Sequence, residues 1–350
     1  MDSYKILNKD AFLEMLNVSE NDLKKIIKEK SSCYHNFLIR NKKHDSLRLI
    51  SAIKNKSDIF VLQKTLQKEF FSSIYFPSNV YGFIKQRNYI DYLEPHCSKN
   101  NGKFFIRLDI KSFFDTISSD IIKECLSYYI NEVCDDKEKS YIVDSIIEIV
   151  TLDNKLIQGA AVTSPVISNL VFRRIDIRIE RFCEKNSITY TRYADDLLFS
   201  GFDDFVHKRS FINMIVSIIK DYGFSLNYKK TLRMRDELSI NGYVVGEEIR
   251  LSRKKFEVVN YILFYLNGRK KGGCMSRIFK YKLINILAGY RALFIQVMKN
   301  TYDEKNKATL KRKISEIEKG IDKMLKIEEG WDGVNRLHEN KVLLDIYQRK

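Results

Sequence analysis

Asp195 and Asp196 are adjacent carboxylates within Tyr190-Thr-Arg-Tyr-Ala-Asp-Asp-Leu-Leu-Phe-Ser200, a β-favouring segment with no turn former before Gly201. Two strand-like arms around an acidic pair predict a hairpin with its acids at the tip. Like charges held that close are costly to desolvate, and a divalent cation removes the cost. Oxygen ligands without a Cys/His cluster favour Mg²⁺ over Zn²⁺. An isolated Asp-Asp is more often an acidic surface turn, so the metal reading needs a further ligand. Lys103-Phe-Phe-Ile-Arg-Leu-Asp-Ile-Lys-Ser-Phe-Phe-Asp115 supplies one, because its short apolar run ends directly at Asp109. An acid at a strand end and two on a hairpin can meet across neighbouring strands. Three carboxylates so placed can hold two metal ions about a transferring phosphoryl group. One ion activates the attacking hydroxyl and the other neutralises the leaving pyrophosphate.

These blocks stand in order with others. Tyr81-Gly-Phe-Ile-Lys-Gln-Arg87 precedes Asp109, and Gln158-Gly-Ala-Ala-Val-Thr-Ser-Pro-Val-Ile-Ser-Asn169 follows it. Tyr193-Ala-Asp-Asp196, Leu226-Asn-Tyr-Lys-Lys-Thr231 and Ile240-Asn-Gly-Tyr-Val-Val245 come next. In this order the segments resemble the reverse transcriptases, and specifically the bacterial retron type. The resemblance implies an α+β, right-hand polymerase fold with fingers, a palm of antiparallel sheet backed by helices, and a mainly helical thumb. It implies RNA-directed DNA synthesis with Asp109, Asp195, Asp196 and the Ile110 backbone carbonyl holding two Mg²⁺, for which Mn²⁺ can substitute. Lys230 matches a lysine near the leaving pyrophosphate, with Lys229 as its rival. Phe114 matches an aromatic beneath the incoming sugar that would collide with a 2′-hydroxyl; a core phenylalanine beside Phe113 is the alternative. Gln158 and Gly159 match a loop contacting nucleotide and template. Arg48, with Lys43 beside it, matches a triphosphate-holding position on a fingers hairpin. Tyr193 and Ala194 would flank the primer end.

The match departs from the retron pattern in places. Tyr92-Leu-Glu-Pro-His96 stands where Asn-Ala-x-x-His is usual, and Ile240-Asn-Gly242 where Val-Thr-Gly is usual. The loop after Gln158 is one residue longer than the common form, and Ala52 replaces a frequent proline. His96 is therefore either an RNA contact or a buried, hydrogen-bonded histidine. A divergent retron enzyme and a defence-associated relative both fit, as do group II intron and diversity-generating types. From another class, a catalytically silent RNA-binding scaffold also remains, though intact carboxylates argue against it.

With 350 residues and 44% hydrophobic content the chain can bury a large core in several subdomains. Its formal charge of +16 attracts polyanions, above all phosphate backbones. No apolar run reaches the roughly eighteen residues of a membrane span, and the start is no signal peptide. Scattered cysteines without Cys-x-x-Cys spacing predict reduced thiols and a cytoplasmic protein. Residues 1–30 predict a helical lead-in, 31–103 fingers with part of the palm, 104–245 the palm, and 246–350 a basic helical thumb. Ser164 is a candidate N-cap with Pro165 at the first helical position. Leu310, Ile314, Ile317, Ile321 and Met324 form an apolar stripe expected to pack inward. Arg253, Lys254 and Lys255 are expected RNA contacts. The implied partners are a structured non-coding RNA serving as template and primer, its DNA product, dNTPs, and an effector protein encoded nearby.

Overall fold

The computed structural model describes residues 6–41, 46–99, 102–130, 133, 135–157, 161–268, 274–330 and 333–349. They form two compact units, one over Met1–Tyr92 and Ile106–Arg233, the other over Leu93–Phe105 and Met234–Lys350.

The first unit opens with α1 (Lys9–Leu16) and α2 (Glu20–Glu29). Asn8 and Ser19 cap them by accepting from the amides of Ala11 and Asp22, satisfying donors that a helix start leaves open. β1 (Tyr34–Asn41) and β2 (Ser46–Ile53) pair antiparallel throughout. Ala52 sits in that ladder opposite His35, where a proline would remove a backbone donor. After α3 (Asp58–Thr65) and α4 (Tyr89–Leu93), β3 (Phe104–Asp109) enters the central sheet. Helices α5 (Phe113–Thr116), α6 (Ser119–Tyr129) and α7 (Asp136–Val150) precede the ribbon of β4 (Thr151–Leu152) and β5 (Lys155–Leu156). α8 (Ser164–Lys185) begins one residue earlier than expected: Ser164 is already helical, Thr163 flanks it, and no side chain caps it. Then come β6 (Thr189–Tyr193), β7 (Asp196–Gly201), α9 (Arg209–Lys220) and β8 (Leu232–Arg235).

The central sheet runs β6-β7-β3-β8. β7 is buried at every position, which is why its Leu-Leu-Phe run shows no polar alternation. The rings of Phe113, Phe172 and Phe224 meet with centroids 5.6, 5.8 and 5.3 Å apart. This tilted aromatic cluster ties α5 to α8 beside the end of β3.

In the second unit β9 (Leu238–Ile240), β10 (Tyr243–Val245) and β11 (Ile249–Leu251) form an antiparallel sheet. Asn241 and Gly242 make its first turn with φ of 50° and 86°, the Asn-Gly chemistry such turns demand. Four helices follow: α10 (Arg253–Gly268), α11 (Arg277–Lys299), α12 (Glu304–Leu325) and α13 (Gly333–Arg349). Leu310, Ile314, Ile317 and Met324 are buried on α12, which packs against α11 and α10. The stripe is thus a packing face. Gly320 completes it, since a Cβ there would stand 2.7 Å from Leu263. Among the described residues no helix is long and apolar enough to cross a membrane. Cys33, Cys97, Cys125 and Cys183 are free thiols.

Candidate active site

β6 and β7 pair as far as Tyr193 opposite Asp196, leaving Ala194 and Asp195 as the loop. So short a connection needs positive φ at its first position. Ala194 adopts φ 56°, a region its methyl disfavours. Gly82 closes on this loop from the side, and a Cβ there would lie 2.4 Å from the Ala194 nitrogen. Ile110, directly after β3, donates its N–H to the Asp195 carbonyl at 3.0 Å, and Asn227 donates to the Asp109 carbonyl at 2.7 Å. Backbone hydrogen bonds therefore gather the end of β3, the hairpin tip and the segment carrying Lys230.

The side chains form two ion pairs. Lys230 Nζ donates to Asp109 Oδ1 at 2.7 Å, with the carboxylate buried and the ammonium half exposed. Of the two adjacent lysines, Lys230 is the one that reaches Asp109. Arg107 lies two residues before Asp109, on the same face of β3. It donates to Asp196 Oδ1 through Nε at 2.9 Å and Nη2 at 2.5 Å.

Burial drives the Asp196 carboxyl up to about 6 against the pull of Arg107. Burial first, then the negative charge of Asp109, raises Asp195 above the ordinary carboxylate range. A site that strains its own carboxylates in this way is one a cation would relieve. Asp109, Asp195 and the Ile110 carbonyl are hard oxygen donors, and that donor chemistry fits Mg²⁺ or Mn²⁺. Asp195 feels the charge of Asp109, and Asp196 feels the charges of both. Among the described residues no three His, Cys, Asp or Glu side chains group as metal ligands. Asp196 is the first residue of β7, and Arg107 on β3 holds its carboxylate.

Phe113 is the core residue of its pair, while Phe114 is only partly buried and sits edge-on to the half-exposed ring of Phe83, 6.3 Å away. Tyr193 is partly exposed and packs against Tyr89 and Tyr92, and Ala194 is buried. Arg48 lies in β2 opposite Ile39, but its side chain, like Lys43, Gln158 and Gly159, falls outside the described residues. Arg253 is 92% exposed and 3.3 Å from Glu257, and Lys254 is exposed. Lys255 differs from both, because its stem packs on Gly242 and its ammonium lies 5.8 Å from the Tyr290 ring.

His96 takes the buried one of its two alternatives. It is fully buried, and burial together with the Lys103 charge pushes its imidazole down to about 3. Lys103 itself donates to the His96 carbonyl at 3.1 Å. Sequence reasoning assigned no role to Arg107, Arg192 or Asp176. An arginine set inside a buried strand was the available signal for the first two.

The family model for reverse transcriptases (RNA-dependent DNA polymerases) matches residues 39–245, more than half of the chain. The retron Se72 reverse transcriptase of Salmonella heidelberg is 27% identical over 276 residues, covering 77% of this chain and 69% of that one. The retron Ec86 reverse transcriptase of Escherichia coli is 26% identical over 186 residues, 51% of this chain and 53% of that one. Among solved structures, telomerase from Candida albicans gives a TM-score of 0.46 at 13% identity, over 100% of this chain and 70% of that one. That likeness is too distant to bear on the site. The matched region carries the buried acid at the end of β3, the Tyr-Ala-Asp-Asp hairpin and the lysine on Asp109, and on it the chain belongs to the reverse transcriptase family of RNA-dependent DNA polymerases, with retron reverse transcriptases among its relatives.

Proposed function

We propose that this protein copies a dedicated small non-coding RNA into DNA by Mg²⁺-dependent nucleotidyl transfer, within a retron or retron-like antiphage system that includes a separately encoded effector. The observation that carries the chemistry is the backbone bond from Ile110 to Asp195, which sets the hairpin tip beside Asp109. In this reading Asp109, Asp195 and the Ile110 carbonyl hold Mg²⁺, with Mn²⁺ as a substitute. When bound, the metal activates the primer hydroxyl and neutralises the leaving pyrophosphate.

The chain's own groups would do the rest. Arg107 keeps Asp196 charged and oriented, and Asp196 becomes a further ligand only by exchanging that partner for metal. Lys230 neutralises Asp109 in this structure, and with metal held by that carboxylate its ammonium would face the pyrophosphate. Phe114, partly exposed, would exclude a 2′-hydroxyl by collision. Tyr193 and Ala194 would meet the primer end. Arg48, Lys43, Gln158 and Gly159 are proposed to bind the incoming nucleotide. Residues 31–103, 104–245 and 246–350 are read as fingers, palm and thumb behind the 1–30 lead-in. Exposed Arg253 and Lys254 and a charge of +16 support an RNA partner. The free thiols support a cytoplasmic setting.

Sequencing the nucleic acid that copurifies with wild type and with Asp109→Asn tests this reading. Wild type should carry a small RNA together with DNA complementary to part of it, and the variant only the RNA. A wild-type preparation holding RNA without complementary DNA would contradict it.

A further inference from the structure

Arg192 is completely buried, three residues before Asp195 on β6. Its guanidinium is clamped from one side by α8. Nε and Nη2 donate to the two carboxylate oxygens of Asp176 at 2.8 and 2.7 Å, and Nη1 donates to Asn169 Oδ1 at 3.0 Å. Tyr190 donates its hydroxyl to Asp176 as well, at 2.8 Å. The ring of Phe172, on the turn of α8 between these residues, lies 4.8 Å from the guanidinium. Asn169, Phe172 and Asp176 are spaced three and four apart, so α8 presents them as one stripe.

The remaining donor of Nη1 goes to the carbonyl of Ala194, at 3.0 Å. That carbonyl belongs to the peptide joining Ala194 to Asp195, within a loop whose first residue already sits at φ 56°. The same asparagine holds the opposite wall, because Asn169 Nδ2 donates to the Gly82 carbonyl at 2.8 Å, and Gly82 abuts the Ala194 amide. The backbone of Arg192 completes the frame, donating to Asn79 at 2.8 Å and accepting from Tyr81 at 2.9 Å. Burying a charged pair is a poor route to stability, since apolar packing of equal volume does as well or better. A guanidinium cannot give up its proton at working pH, so proton transfer is no explanation either. What this pair does that an apolar pair would not is aim a charged donor at the peptide bond of the catalytic turn.

We propose that Arg192, clamped by Asp176 and Asn169, is a positioning residue that fixes the Ala194–Asp195 peptide and with it the aim of the Asp195 carboxylate toward the divalent cation. This rests on the reading of Asp195 as a metal ligand. Groups that orient a metal ligand without touching the metal commonly set its affinity over a range of about 10- to 100-fold.

The test measures Mn²⁺ binding to RNA-free protein by electron paramagnetic resonance, alongside far-UV circular dichroism and the Mg²⁺ concentration giving half-maximal dNTP incorporation. Arg192→Lys keeps the charge and loses the fork, and Asn169→Ala and Asn169→Ser loosen the clamp while sparing the ion pair. Asp195→Asn defines the site. At least one clamp variant should keep a native spectrum yet bind Mn²⁺ about 10-fold or more weakly, with half-maximal Mg²⁺ raised to match. Natively folded variants with wild-type Mn²⁺ affinity would overturn the proposal. So would loss of fold in all three with no variant separating affinity from folding, since the clamp would then be structural only. If Asp195→Asn itself binds Mn²⁺ like wild type, the failure lies in the reading of Asp195 and not in the clamp.

Discussion

Replacing Arg107 by methionine removes both donors from Asp196 while keeping an unbranched side chain of similar reach. The Asp196 side chain is 12% exposed and that of Arg107 20%, so solvent screens the pair little. Losing hydrogen bonds to a charged group costs about 1.5–3 kcal/mol, and stranding a buried charge costs about 3–5 kcal/mol. The carboxyl already stands at about 6 with Arg107 present, so the variant can take up a proton, and that limits the loss. Roughly 2–3 kcal/mol at neutral pH is expected, or about 4–10 °C in Tm. The pH dependence has a definite sign. An acid whose folded pKa lies above its unfolded value binds protons on folding, so stability falls as pH rises through that window. In wild type the window runs from 3.8 to about 6, and without Arg107 it extends upward. The deficit of Arg107→Met should therefore widen between pH 6 and pH 8 in EDTA, and saturating Mg²⁺ should recover part of it by replacing the guanidinium. Thermal melts over this range decide the matter. A wild-type midpoint at pH 8 in EDTA, or an equal deficit at both pH values, would refute the reasoning.

Three further outcomes are expected. Phe114→Val should admit ribonucleotides far more readily in competition assays, whereas an unchanged preference for dNTPs would leave the ring with a packing role only. For His96, folded at about 3 against an ordinary 6.5, only the unfolded chain binds the proton between those values, so stability present above pH 6.5 is lost as pH falls toward 3; His96→Gln should flatten that acid limb in melts at pH 4.5 and 7.5, and an unchanged limb would contradict the buried neutral imidazole. Arg253→Ala with Lys254→Ala should weaken RNA binding and lower the slope of log affinity against log salt by about one to two, with Lys255 left in place because it packs on Gly242; an unaltered slope would move the contact elsewhere.

The parts of the site legible in the sequence are those encoded by local pattern. The hairpin around Asp195 follows from strand-forming arms and an acidic pair, and Asp109 from an apolar run that stops at an acid. Each needs only a few neighbouring residues. The ion pairs are different, because Arg107 meets Asp196, and Arg192 meets Asp176, only once strand order and the contact of α8 are settled. No spacing along the chain reveals that Asp196 faces an arginine. His96 shows a related limit. Its place in a motif says nothing of burial, which only the fold decides. Phe113 and Phe114 are chemically identical in the sequence, and only the packing separates the core ring from the partly exposed one.

The account turns on Asp195 and Asp109 as the metal-holding groups of an RNA-dependent DNA polymerase. Its most direct test is primer extension on an annealed RNA template with purified wild type and Asp195→Asn, each checked for native circular dichroism and RNA binding. Wild type should incorporate dNTPs in Mg²⁺, and the variant, which loses a negative ligand at nearly constant shape, should fall by at least about 100-fold while still binding RNA. Near wild-type synthesis by a folded Asp195→Asn protein would contradict the account.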